Sequence, residues 1–108
     1  ELWYVRHDNA AVMSKAGVKI AIMNDTGSET MWLPRNVAVA VKYGLDEDDA
    51  MKTITINAAE IIGIADRVGS LEAGKDADVV VWSGHPLHAY TWADTVIING
   101  KVEYDRRK

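Results

Sequence analysis

The chain has 108 residues, 48% of them hydrophobic and 26% charged, an ordinary balance for one domain with the means to bury a core. Its formal net charge of -4, with Lys and Arg scattered, argues against a nucleic-acid partner, whose phosphates demand a basic face. The absence of cysteine excludes disulfides and thiolate metal sites, and no apolar run approaches the ~20 residues that a membrane helix needs.

Leu2-Trp3-Tyr4-Val5 is a short apolar segment with the pattern of a strand, and the chain opens at Glu1 in mid-pattern, as a fragment would. Asp8 or Asn9 is placed to cap a helix over residues 10–16, and Gly17 to end it in a left-handed conformation. His7 has no second ligand at i+2 or i+4 and reads as a surface neighbour of that cap. Residues 17–25, GVKIAIMND, then form an apolar run that stops at an acid. Val18, Ile20 and Ile22 are β-branched and Ala21 and Met23 fill the alternate positions, which predicts a short strand buried on both faces. Helix-like stretches on either side make the local pattern α-β-α, the grammar of a parallel sheet. Chemistry in such sheets sits at the carboxyl ends of the strands, where Asp25 stands.

Thr26 to Thr30 read as a small-residue loop on the substrate side, with Trp32 equally suited to packing or binding. Pro34 opens a helix over 35–43 whose stripe is Val37, Ala38 and Val41, and Gly44 ends it. The acids Asp46-Glu47-Asp48-Asp49 lack the alternating spacing of a calcium loop and suit the start of a helix over 49–54. Thr55 or Asn57 can cap a further short helix that closes at Gly63. Beyond Ile64 the pattern changes to strands and turns. Residues 70–72 read as a brief extended piece, and Val79-Val80-Val81-Trp82 as a strand buried on both faces. Asn99-Gly100 between two apolar runs predicts a type I′ hairpin. The division expected is residues 1–63, helices with one strand, and residues 64–108, strands alone. Those two halves do not obviously close one core.

Residues 53–87, TITINAAEIIGIADRVGSLEAGKDADVVVWSGHPL, resemble the C-terminal signature of the amidohydrolase superfamily, in particular its imidazolonepropionase-related and prolidase-like metal-dependent hydrolases. Thr55, Asn57, Ala59 and Gly63 match its helix, and Gly69, Ser70, Leu71, Glu72, Gly74, Lys75, Ala77 and Asp78 its turn and strand. Pro86 and Leu87 match the loop that follows, and residues 17–25 resemble the family's last barrel strand with its terminal acid. GSLEAGKD lacks the spacing of a phosphate loop and precedes a strand, so its glycines read as turn residues.

The resemblance implies an α/β fold: the last strand and helices of a (β/α)8 barrel over residues 1–63, then C-terminal strands of a small composite β-sandwich over 64–108. It implies hydrolysis of amide or other C–N bonds by a metal-activated water, with Asp25 as general base and metal-proximal acid. The implied cofactor is one or two divalent ions, commonly zinc, most of whose ligands lie outside this chain. The implied partners are a small-molecule or peptide-like substrate and the upstream part of the same protein, with a homo-oligomer left open and a cytoplasmic setting as default. The family's His-x-His pair, bridging acid or lysine and two further histidines are absent here, and His85 and His88 fall in the sandwich portion as loop residues. One carboxylate cannot hold zinc, so the 108 residues by themselves are expected to be inactive and to bind no zinc at micromolar levels. The alternative is a structural or assembly module with a degenerate barrel site.

Overall fold

The computed structural model describes residues 6–108, so the apolar segment Leu2-Trp3-Tyr4-Val5 lies outside the described residues. Helices α1 (Asn9–Lys15), α2 (Leu33–Lys42), α3 (Glu47–Thr53) and α4 (Ile56–Ile61) come first, with a 3-10 helix over Gly27–Trp32 ahead of α2. Strands β1 (Val79–Trp82), β2 (Ala93–Ile98) and β3 (Lys101–Asp105) follow as an antiparallel sheet in the order β1-β2-β3. Among the described residues no helix is long and apolar enough to cross a membrane.

Local chemistry accounts for most of the element ends. Gly17 and Gly44 close α1 and α2 at φ of 79° and 100°, the left-handed region that a Cβ disfavours. Asp46 caps α3, its Oδ1 accepting the N–H groups of Asp48 and Asp49 at 3.0 and 3.1 Å. Glu47, Asp48 and Asp49 then fill the first turn, where the helix dipole favours acids. Asp8 precedes α1 without a side-chain capping bond. It pairs instead with Arg6 at 2.8 Å, and the hydrogen bond from that guanidinium holds its carboxyl below the usual range. Asn99 and Gly100, both at positive φ, make the predicted hairpin turn between β2 and β3.

The run 17–25 departs from expectation. It forms no β ladder among the described residues. A parallel strand needs neighbours on its edges, and the three strands present pair with each other elsewhere. Helices hold its main chain instead. The Ile22 N–H donates to the Thr53 carbonyl at 3.2 Å, and the Ile20 carbonyl accepts from Asn57 Nδ2 at 3.1 Å. Lys19 pairs with Glu60. Ile20 and Ile22 pack against the core while Val18 and Met23 stay exposed, so burial on both faces is not achieved. β1 departs in the same way, with Val80 and Val81 exposed. Residues 70–72 form no strand.

The signature turn is a set of ties. Ser70 Oγ accepts from Lys75 Nζ at 2.6 Å and donates to Glu72 Oε1, and this hydroxyl, followed by the lysine, holds the Glu72 carboxyl below the usual glutamate range. Asp78 Oδ1 accepts the Asn99 N–H at 2.9 Å and the Ala77 carbonyl accepts the Gly100 N–H at 3.0 Å, which fastens the hairpin to the signature.

Five buried apolar residues, Ala11, Val37, Leu45, Ala50 and Leu87, form the core cluster, and Ala59 is buried beside Gly69. The accessible area of 8072 Å² compares with roughly 5,900 Å² for a closed monomer of 11.9 kDa. The radius of gyration of 15.0 Å compares with about 13 Å for a compact domain of this length. These residues therefore form an open α/β arrangement of helices and a partial, unclosed sheet.

Candidate functional site

Asp25 stands where the apolar run turns into the 3-10 helix, and its position is set by its neighbours. Asn24 is the clasp. Its Nδ2 donates to the Glu29 carbonyl and its Oδ1 accepts from Asn36 Nδ2 of α2 at 2.7 Å, so the end of the run is fixed to both following helices. Thr26 is extended, and its carbonyl accepts the Glu29 N–H at 3.1 Å, which starts the 3-10 helix where sequence patterning gives a plain loop. The Asp25 side chain is exposed, and no hydrogen bond or ion pair to another described residue engages its carboxylate. A free carboxylate on a fixed backbone fits a cation or a proton. By itself it supplies only one of the three or four protein ligands that a zinc site takes. Trp32 is half-exposed with the Arg35 guanidinium 5.6 Å from its ring centre, a surface cation–π contact.

A second grouping joins residues far apart in the chain. Glu47, on the first turn of α3, meets His85 and His88 of the β1–β2 loop, and one ligand atom from each lies within 4.8 Å of the other two. His85 Nδ1 is 3.4 Å and His88 Nε2 3.9 Å from Glu47 Oε1. This is a candidate metal-binding cluster. Sequence reading placed each residue in the right local setting but missed that they meet, because no spacing rule links a helix start to a distant loop. Only the His-x-x-His spacing of 85 and 88 was there to be noticed.

A cavity of about 630 Å³ lies between α3, α4 and β1 and is lined by apolar side chains including Met51, Ile54, Ile62, Val79 and Trp82. Asp25, Glu47, His85 and His88 are not among its lining residues. Its apolar character marks a packing face rather than a reaction site.

The family profile described as "Amidohydrolase family" matches residues 6–103. The imidazolonepropionase of Geobacillus kaustophilus is 39% identical over 97 residues, covering 81% of this chain and 23% of that protein. That of Mesorhizobium japonicum is 34% identical over 93 residues, covering 70% of this chain and 22% of that protein. A crystal structure of an amidohydrolase from Thermotoga maritima superposes with a TM-score of 0.91 at 40% identity, over 97% of this chain and 28% of that one. The chain thus spans about a quarter of the length of the proteins it matches.

Proposed function

Because the chain belongs to the amidohydrolase family, a family of metal-dependent hydrolases, we propose that it supplies the general base of such an enzyme, Asp25, for hydrolysis of an amide or other C–N bond. In this reading residues 1–63 complete the barrel and residues 64–108 the β-sandwich, with the rest of both contributed by upstream sequence. The observation that carries it is the Asn24 clasp, which holds an unengaged, exposed carboxylate at the end of the run that resembles the last barrel strand. A divalent ion, zinc by family resemblance, would supply Lewis-acid activation of water, with Asp25 as one of its neighbours and the remaining ligands outside this chain. Asp25 itself takes a proton from the attacking water and returns it to the leaving nitrogen, a transfer that a carboxylate can make in both directions. Asn24 and Asn36 keep the carboxylate from drifting during that exchange. The resemblance to imidazolonepropionases makes a small cyclic amide the first substrate class to assay.

Chelation tests the reading. The full-length protein, stripped of metal with dipicolinate, is expected to lose at least nine-tenths of its C–N hydrolase activity and to recover it with added zinc. Full activity in the stripped protein would refute a metal-dependent reaction.

A further inference from the structure

We propose that Glu47, His85 and His88 form a binding site for a borderline transition-metal dication of the zinc class, which clips the start of α3 to the β1–β2 loop. Each side of the site is braced before any ion arrives. Asp46 caps α3 and fixes the turn that carries Glu47. The loop is closed by Ser83 N–H to the Trp92 carbonyl and by Trp92 N–H to Ser83 Oγ, both at 2.9 Å. Inside it the His88 N–H donates to the His85 carbonyl at 3.0 Å, a tight turn that brings the two imidazoles to 5.1 Å between centres. Leu87, between the histidines, is buried in the core with Leu45 and Ala50, which seats the loop against α3.

The ligand atoms lie within 4.8 Å of one another, close enough for small side-chain shifts to bring them onto one ion. Zinc–nitrogen and zinc–oxygen bonds of about 2.0–2.2 Å at tetrahedral angles put ligand atoms roughly 3.3–3.5 Å apart. The 3.4 Å between His85 Nδ1 and Glu47 Oε1 already meets this, and the 3.9 Å from His88 Nε2 needs a shift of about half an ångström. His85 Nδ1 faces the Glu47 carboxylate and also accepts a long hydrogen bond of 3.3 Å from the Leu87 N–H, which a cation would displace because Nδ1 has one lone pair. A cation between the nitrogen and the carboxylate satisfies both. Two imidazole nitrogens and one carboxylate oxygen favour zinc, copper or nickel over calcium or magnesium, which prefer all-oxygen sites. Three protein ligands leave a fourth position for water. The proposal reverses the sequence expectation that these residues bind no zinc, since that expectation did not bring Glu47 to the histidines.

The test is metal stoichiometry in the full-length protein, dialysed and titrated with zinc chloride, for wild type, Asp25→Asn, Glu47→Gln and His85→Ala/His88→Ala. One equivalent is expected to persist in Asp25→Asn and to disappear in Glu47→Gln and in the double variant. Equal stoichiometry in wild type and the double variant overturns the site and leaves the role of Asp25 untouched. Imidazole ¹H–¹⁵N spectra give a readout without mutation: zinc must shift the ring nitrogens of His85 and His88, and their constancy up to saturation of all zinc-binding sites overturns the site equally.

Discussion

Asp25→Asn in the complete enzyme is expected to lower kcat by about 10³-fold with the fold intact, within the range that a positioned general base contributes. The amide has the shape of the carboxylate and gives up no hydrogen bond to another described residue, so the stability cost is expected to be small. What it loses is the capacity to accept a proton at reacting distance. The check is steady-state kinetics beside a thermal melt. Retention of more than a few per cent of the wild-type rate, with an unchanged melt, would count against Asp25 as the base.

Gly69→Ala has the largest structural effect expected. Gly69 sits at φ 94°, and a Cβ there would lie 2.7 Å from Ala59 Cβ and 3.0 Å from Ile56 Cα. One of those atoms belongs to the α4 main chain and cannot swing aside. Backbone strain and overpacking together are expected to cost about 2–4 kcal/mol. Gly74 is the matched control, since it has a similar φ of 92° but nothing within 4 Å of the added carbon. Denaturant midpoints should therefore fall much further for Gly69→Ala than for Gly74→Ala, and Ala59→Gly should restore part of the loss. Equal shifts for the two glycines would mean that the contact with Ala59 is not tight.

These two positions show what could be read from the chain and what could not. Gly69 and Ala59 were both recognisable as signature residues, and the structure gives the physical reason: they are the two sides of one close approach. Asn57 gains its meaning similarly, as the donor that holds the Ile20 carbonyl. Helix ends at Gly17 and Gly44, the acidic start of α3 and the Asn99-Gly100 turn were legible because short-range chemistry decides them, although the helix begins at Glu47, capped by Asp46, and not at Asp49. The run 17–25 was legible as apolar but not as unpaired, because a strand is made by its neighbours and none is supplied by the described residues. The exposure of Val80 and Val81 has the same origin. The Glu47–His85–His88 grouping was invisible because it depends on Leu87 docking in the core, a tertiary event with no local pattern.

The role of Asp25 is tested most directly by anomalous diffraction at the zinc edge from crystals of the full-length protein. A strong anomalous peak is predicted at the carboxyl end of residues 17–25, either bonded to an Asp25 oxygen at about 2.0–2.2 Å or one water molecule away from it. A carboxylate turned into packed hydrocarbon or toward the β-rich end, with no anomalous density near it, would contradict the hydrolase mechanism.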